Sequence, residues 1–215
     1  NDKVDISNTG IINDISGHSK AVGIYAENKN ATVNRSDVQA VNTGVLNFAN
    51  SANSVAAYIT GGTFTNNGGQ IKVGYGNVGI YADNSDVSFN SGTIELGSNA
   101  TGFYLDNSSD LNVTSGTINV TGQNAVIYNI NGSGSNINNN WTINSSAGAS
   151  YIFANINSGV YQTTGNYSLA NNSVVFSGIN SAVILDSNGV ITGSGTNNVA
   201  LYSTGQYSGA LPAPY

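Results

Sequence analysis

Four carboxylates are the residues of this chain best placed to do chemistry. Asp83 and Asp106 each follow a tyrosine by two positions, and Asp86 and Asp110 each open a short run of alternating apolar residues, so both pairs recur at nearly one interval. If that interval is one turn of a coil, all four acids gather at one corner on neighbouring turns. Retaining glycoside hydrolysis needs two carboxyls about 5 to 5.5 Å apart, and adjacent turns nearly supply that spacing. With Asn84 and Asn107 beside them, the same acids offer the hard oxygen ligands that Ca2+ takes. Against both stands the ordinary use of Asp at a chain corner, where its carboxylate accepts a downstream backbone N–H.

Little else joins them in a catalytic constellation. Arg35 falls in a stretch that reads as an insertion, Arg35 to Val41, so no cation is expected at the acid corner to bind an acidic sugar. His18, the single imidazole, sits in a Ser-Gly-His-Ser corner with no acid nearer than Asp14 and no Cys anywhere, which leaves neither a metal centre nor a Ser-His-Asp triad to build on. The expectation is a protein that is not an enzyme and holds no cofactor. Asp83, Asp86, Asp106 and Asp110 are read as structural corner residues, with Ca2+ the cation alternative.

The elements that position these acids come from a repeat. Val78-Gly79-Ile80-Tyr81-Ala82, Asp86-Val87-Ser88-Phe89 and Gly92-Thr93-Ile94-Glu95-Leu96 return as Thr101-Gly102-Phe103-Tyr104-Leu105, Asp110-Leu111-Asn112-Val113 and Gly116-Thr117-Ile118-Asn119-Val120. An aromatic recurs at Tyr58, Tyr81, Tyr104, Tyr128, Tyr151, Phe176 and Tyr202, and a second marker at Gly44, Gly69, Gly92, Gly116, Trp141, Gly165 and Gly189 keeps the same period. The runs alternate with a period of two and nowhere show a helical stripe. This predicts an all-β parallel β-helix of about eight coils, each of about 23 to 25 residues with three short strands, and essentially no helix. Ile71, Ile94, Ile118, Ile143, Tyr167 and Ile191 are predicted to form one inward stack, and Lys72 with Glu95 to pair across coils.

The repeat spans 1–204 as a single domain with 35–41 as a loop insertion, and 205–215 reads as a tail or the start of a continuation. The opening strands resemble an incomplete first coil. The chain is therefore expected to be a fragment or to have a cap upstream, with any targeting segment outside it.

Composition agrees with many short strands and tight corners. Only 7% of residues are charged, and solubility falls to the turn-forming polar residues, among them 36 Asn. A formal net charge of -6, with five scattered cations, argues against nucleic acid or an anionic membrane as partner. No apolar run is long enough for a membrane helix, so direct membrane insertion by these residues is not expected. The absence of Cys excludes a disulfide scaffold without placing the chain inside a cell.

Coils of this length, with Gly-Ile-Tyr-Ala and Gly-Thr-Ile phrases, Asn-rich corners, no Cys and almost no charge, resemble the passenger region of Gram-negative type V autotransporters from Val4 to Tyr202. The resemblance implies a right-handed β-helix, secreted and displayed at the cell surface as a stalk or adhesin, with an outer-membrane barrel encoded further on. Its partners would be a host or neighbouring-cell protein or glycan, or a second copy through self-association. A glycan-degrading β-helix enzyme and a subunit of an extracellular filament are the alternatives.

The binding element expected of such a module is an aromatic column. Strict alternation with Val78, Ile80 and Ala82 inward turns Gly79 and Tyr81 outward. Tyr25, Tyr58, Tyr81, Tyr104, Tyr128, Tyr151 and Tyr202 would then line one outer face, their rings lying flat over the paired glycines. Tyrosine gives such a face large contact area with a polar tip. The competing readings are a ladder that only stabilises the coil and a flipped register that buries the rings.

Overall fold

The computed structural model of the chain describes residues 3–14, 18–29, 34–132, 137–138, 140–163, 166–169, 171–185 and 189–208. The expected strand at Ala31 to Val33, the marker Gly165 and the tail from Gly209 lie outside the described residues. Within them the chain is a parallel β-solenoid of about six turns, fewer than the eight expected. Among the described residues there is no α-helix, and one 3-10 turn spans Arg35–Asp37.

Each turn lays one strand on each of three faces. The first face is an unbroken eight-stranded sheet running from Val22–Glu27 through Val55–Thr60, Val78–Asp83 and Thr101–Asp106 to Val199–Thr204. The second and third faces ladder together through ten strands, and beyond a break each continues as a separate two-stranded sheet. Two turns run straight from the second face to the third in single strands, Thr63–Val73 and Asp86–Leu96, bent by a bulge near Asn66 and Asn67.

The predicted insertion is misplaced by several residues. Val38–Asn42 is a regular second-face strand, paired with Val4–Asn8 on one side and Thr63–Val73 on the other. Glu27 pairs with Thr60 and Gln39 with Thr63, so the extra residues lie between Glu27 and Val38. The sequence boundary slipped because the long interval from Tyr25 to Tyr58 gives the size of the insertion and not its position.

The core is a set of columns. Leu46, Ile71, Ile94 and Ile118 are register partners and wholly buried. Ile143 continues that column but is only partly covered, and among the described residues no ladder carries it on to Tyr167, whose partner is Ile191. The predicted continuous stack is therefore broken once. Lys72 and Glu95 are register partners as expected, but the ion pairs among the described residues are Lys29–Glu27 and Arg35–Asp86.

One inward column is polar. Asn8 Nδ2 donates to Asn42 Oδ1 at 2.8 Å, Asn42 Nδ2 to Asn66 Oδ1 at 2.7 Å, and Asn66 Nδ2 to the Ser91 carbonyl at 2.7 Å. Amide side chains stacked at the coil repeat satisfy one another, so burial costs them little. In the next turn the partner of Asn66 is Phe89, so the same position also accepts a fully apolar side chain.

Asn42→Ala strands the Asn8 donor and the Asn66 acceptor in the interior, and should lower the unfolding free energy by about 2 to 3 kcal/mol. Urea denaturation measures this. Replacing Asn8, Asn42 and Asn66 together by Leu also removes the donors to the Gly69 and Ser91 carbonyls and the acceptor of the Gly10 N–H, and should cost more than the single change.

Candidate functional site

The predicted aromatic column exists over four turns. Tyr25, Tyr58, Tyr81 and Tyr104 are successive register partners on the first face. Their ring centroids are 5.4, 4.7 and 5.0 Å apart, with interplanar angles of 11°, 2° and 16°. Coplanar rings lying flat on the sheet could not come that close, so the rings stand off the sheet and stack on one another, correcting the flat arrangement expected. Each stacked pair contributes about 0.5 to 1.5 kcal/mol beyond the area it buries. Ring faces inside the stack are consumed by the stack; edges and hydroxyls are what solvent meets.

The other three tyrosines do not extend the column as predicted. Tyr128 is wholly buried and pairs with Phe103 and Ala154, while Tyr151 is 3% exposed and pairs with Ala125. Tyr104 is followed in its column by Asn129, then Asn155 and Ser177, before Tyr202 appears at the far end, 56% exposed. For Tyr128 the cause is a single residue. The turn that starts at Tyr104 closes on Asn129, one position past Tyr128, and a one-residue slip moves a strand side chain to the opposite face.

Gly79 is also reversed. Val78 is half-exposed and Gly79 buried, and a Cβ at Gly79 would meet the Gly102 carbonyl oxygen at 2.6 Å. The strand therefore breaks alternation between Val78 and Ile80. Gly79 is required by the approach of the neighbouring turn's backbone on the inside and makes no bed for a ring outside.

Beside the tyrosines runs a column of Glu27, Thr60, Asp83, Asp106 and Asn131. The Tyr25 hydroxyl donates to Glu27 at 2.7 Å and the Tyr81 hydroxyl to Asp106 at 3.2 Å. Both phenols are held above their ordinary pKa, Tyr25 chiefly by its hydrogen bond to Glu27 and Tyr81 chiefly by partial burial, with the Asp106 charge adding to it. Inside, burial does the same to Tyr128, against the donated N–H of Trp141.

The four acids sit in the register expected, Asp83 opposite Asp106 and Asp86 opposite Asp110. Their oxygens are used by neighbours. Asp83 accepts from Asn107 Nδ2 at 2.7 Å, and Asp106 accepts from the Asn107 backbone N–H at 3.0 Å and from Asn131 Nδ2 at 3.2 Å. Asn84 and Asn107 turn the corner with φ of 48° and 46°, a left-handed conformation that Asn tolerates. Among the described residues no three acid or imidazole groups are gathered closely enough to hold a metal ion.

Contrary to the sequence reading, a cation does reach this corner. From the turn Arg35–Asp37, Arg35 Nη1 donates to Asp86, while Nη2 donates to Asn84 Oδ1 at 2.7 Å and to the Ser108 carbonyl at 3.2 Å. A contact between residues so far apart in sequence carried no local signal. His18 is exposed, in line with a solvated loop residue.

Two measurements follow from this geometry. The raised phenol pKa values mean that the folded state keeps protons the unfolded chain loses above the ordinary tyrosine value of 10.0, so stability should be flat with respect to these groups below that pH and fall as pH rises past it. Spectrophotometric titration should show the phenolates of Tyr81 and Tyr128 appearing with unfolding and not before it. Arg35→Ala should cost about 1 kcal/mol, since the ion pair is partly exposed, and a double-mutant cycle with Asp86→Asn should recover part of that as coupling.

Comparison of the chain with protein-family models, curated proteins and solved structures gives no match.

Proposed function

We propose that the chain is a non-catalytic structural and adhesive module of a secreted, cell-surface protein, a passenger segment of the type V autotransporter kind that serves attachment and virulence at the outer membrane. The observation that carries this reading is the first face. Eight strands run along it without interruption, and over four turns it repeats a tyrosine hydroxyl beside a carboxylate or hydroxyl at roughly 4.8 Å intervals. A regular row of donors and acceptors suits a repetitive partner, a host or neighbouring-cell protein or a glycan chain. Because the rings stack on each other, such a partner is met by ring edges, hydroxyls and the acidic column, and ring-face stacking is left to the ends of the column. The acid corner supports the same reading, since its carboxylates are engaged by Asn107, Asn131, Tyr81 and Arg35.

Beads carrying the protein should bind host cells or members of a glycan array, and Tyr58→Ser combined with Tyr81→Ser should reduce that binding about tenfold with the fold intact by circular dichroism. Binding unchanged by the pair removes the first face as the contact surface. Release of reducing ends or unsaturated products from a glycan panel, abolished by Asp83→Asn with Asp106→Asn, would make the protein a glycan-degrading enzyme instead.

A further inference from the structure

The solenoid is interrupted at one level, and the interruption makes a cavity. On the first face Val126 pairs with Ile152 and Ile152 with Val174, so one turn is followed by another that is shorter by four positions. Turns of such different perimeter cannot ladder on all sides. Among the described residues no pairing joins Trp141–Ser145 to Tyr167–Leu169, although both lie on the third face.

Trp141 aggravates the mismatch. It occupies the position that is Gly116 in the turn below, and its indole lies over that glycine, where a Cβ would come within 2.3 Å of the ring. There it packs on Phe89 and Phe103, with centroids 4.7 and 5.7 Å away, and donates its Nε1–H to the Tyr128 hydroxyl. The ring has left its own level. What remains is a cavity of about 140 Å³ walled by Trp141, Ile143, Phe153, Tyr167, Leu169 and Val175.

We propose that this cavity binds a small aromatic molecule, a single ring of phenol size carrying one hydrogen-bond acceptor. A cavity of about 150 Å³ lined by Leu, Ile and Phe takes benzene, and this pocket has a similar volume, with aromatic and aliphatic side chains on most of its wall and the exposed Asn166 and Ser168 at its open edge. A hexose, with a hydroxyl on most carbons, would leave those groups unpaired against aliphatic and aromatic walls. One polar group has a use. Asn166 lines the cavity, and its Oδ1 accepts the Val190 N–H at 3.1 Å while its Nδ2 makes no hydrogen bond among the described residues, so a donor is available to an oxygen on the ring. Across the cavity the Tyr151 hydroxyl donates to the Ser168 carbonyl at 3.2 Å, tying the first-face strand to the third-face strand of the same turn. The site is separate from the first face and does not depend on the adhesive reading.

Trp141 is the single tryptophan of the chain and forms one wall, so its emission reports occupancy directly. Titration with p-cresol should give a saturable change in emission and one site by calorimetry, and toluene should bind more weakly. Asn166→Ala should weaken p-cresol about fivefold, toward the affinity of toluene, and leave toluene unchanged. Val175→Phe should fill the cavity and abolish both; if that variant does not fold, Val175→Leu should weaken both. A linear, non-saturating response overturns the proposal, as does undiminished binding in a folded variant with the cavity filled. An Asn166→Ala variant that binds p-cresol as well as the wild type overturns the assignment of the ligand's acceptor.

Discussion

A parallel ladder that returns to the same place after every turn converts each sequence position into a column of side chains roughly 4.8 Å apart. Every other property of this molecule is a response to that spacing. Aliphatic residues at about 4.8 Å pack without gaps, as Leu46, Ile71, Ile94 and Ile118 do. Tyrosine rings at the same interval fit only as an offset stack, which the centroid separations of the outer column show. Amides at that interval reach hydrogen-bonding distance and chain donor to acceptor. Few charged side chains fit such a scheme, because identical charges would repel at each step. Where two acids do stack, as at Asp83 and Asp106, the column turns to Asn131 in the next turn and amide donors fill the space around them.

The corners obey the same rule. Ser85 and Ser109 are buried, and each hydroxyl donates to a carbonyl of its own turn, while the N–H of Ser85 donates to Ser109 Oγ one turn along. Asn77 accepts from the Ser54 N–H and donates to the Phe48 and Ser51 carbonyls, tying a corner of one turn to the turn before it. A chain with 36 Asn is thus one whose corners are held by side-chain hydrogen bonds as much as by packing. That holds the turn length to a narrow range, since an added residue displaces partners on the neighbouring turn.

The repeat, the three strands per turn and the inward aliphatic column were legible in the sequence because they depend only on period and alternation. Asp83 and Asp106 were also located correctly relative to each other, their turns being of equal length. What the sequence hid depends on counting across corners of unequal length. Tyr128 and Tyr151 look like members of the Tyr81 column by spacing, yet one residue more or less in a corner decides whether a ring is inside or outside. The inward turn of Gly79 was hidden for a related reason: the strand breaks alternation at its second residue, and nothing in Val-Gly-Ile-Tyr marks the break. Arg35 was missed because its partners, Asn84, Asp86 and Ser108, belong to two other turns and lie far from it in sequence.

Turn length also explains why the aromatic residues change sides along the axis. The turns from Val55 to Val78 and from Val78 to Thr101 are equal in length, and the interior at those levels is filled by Ile, Leu, Val, Ala and single phenylalanines while tyrosine stands outside. The turn from Thr101 to Val126 is longer than these by two positions, and the one from Val126 to Ile152 by three. A longer perimeter encloses a wider cross-section, and aliphatic columns no longer close it. Tyr128, Tyr151 and Phe153 turn inward in this region, followed by Tyr161, Tyr167 and Phe176, and pack edge to face, as Tyr128 does on Phe153 and Tyr167 on Phe176. Edge-to-face rings fill a wide space without needing the strict vertical repeat that stacked rings obey, so they tolerate the unequal turns that follow. Beyond Tyr104 the outer column passes to Asn129, Asn155 and Ser177, and the aromatic residues of those turns pack inside the coil.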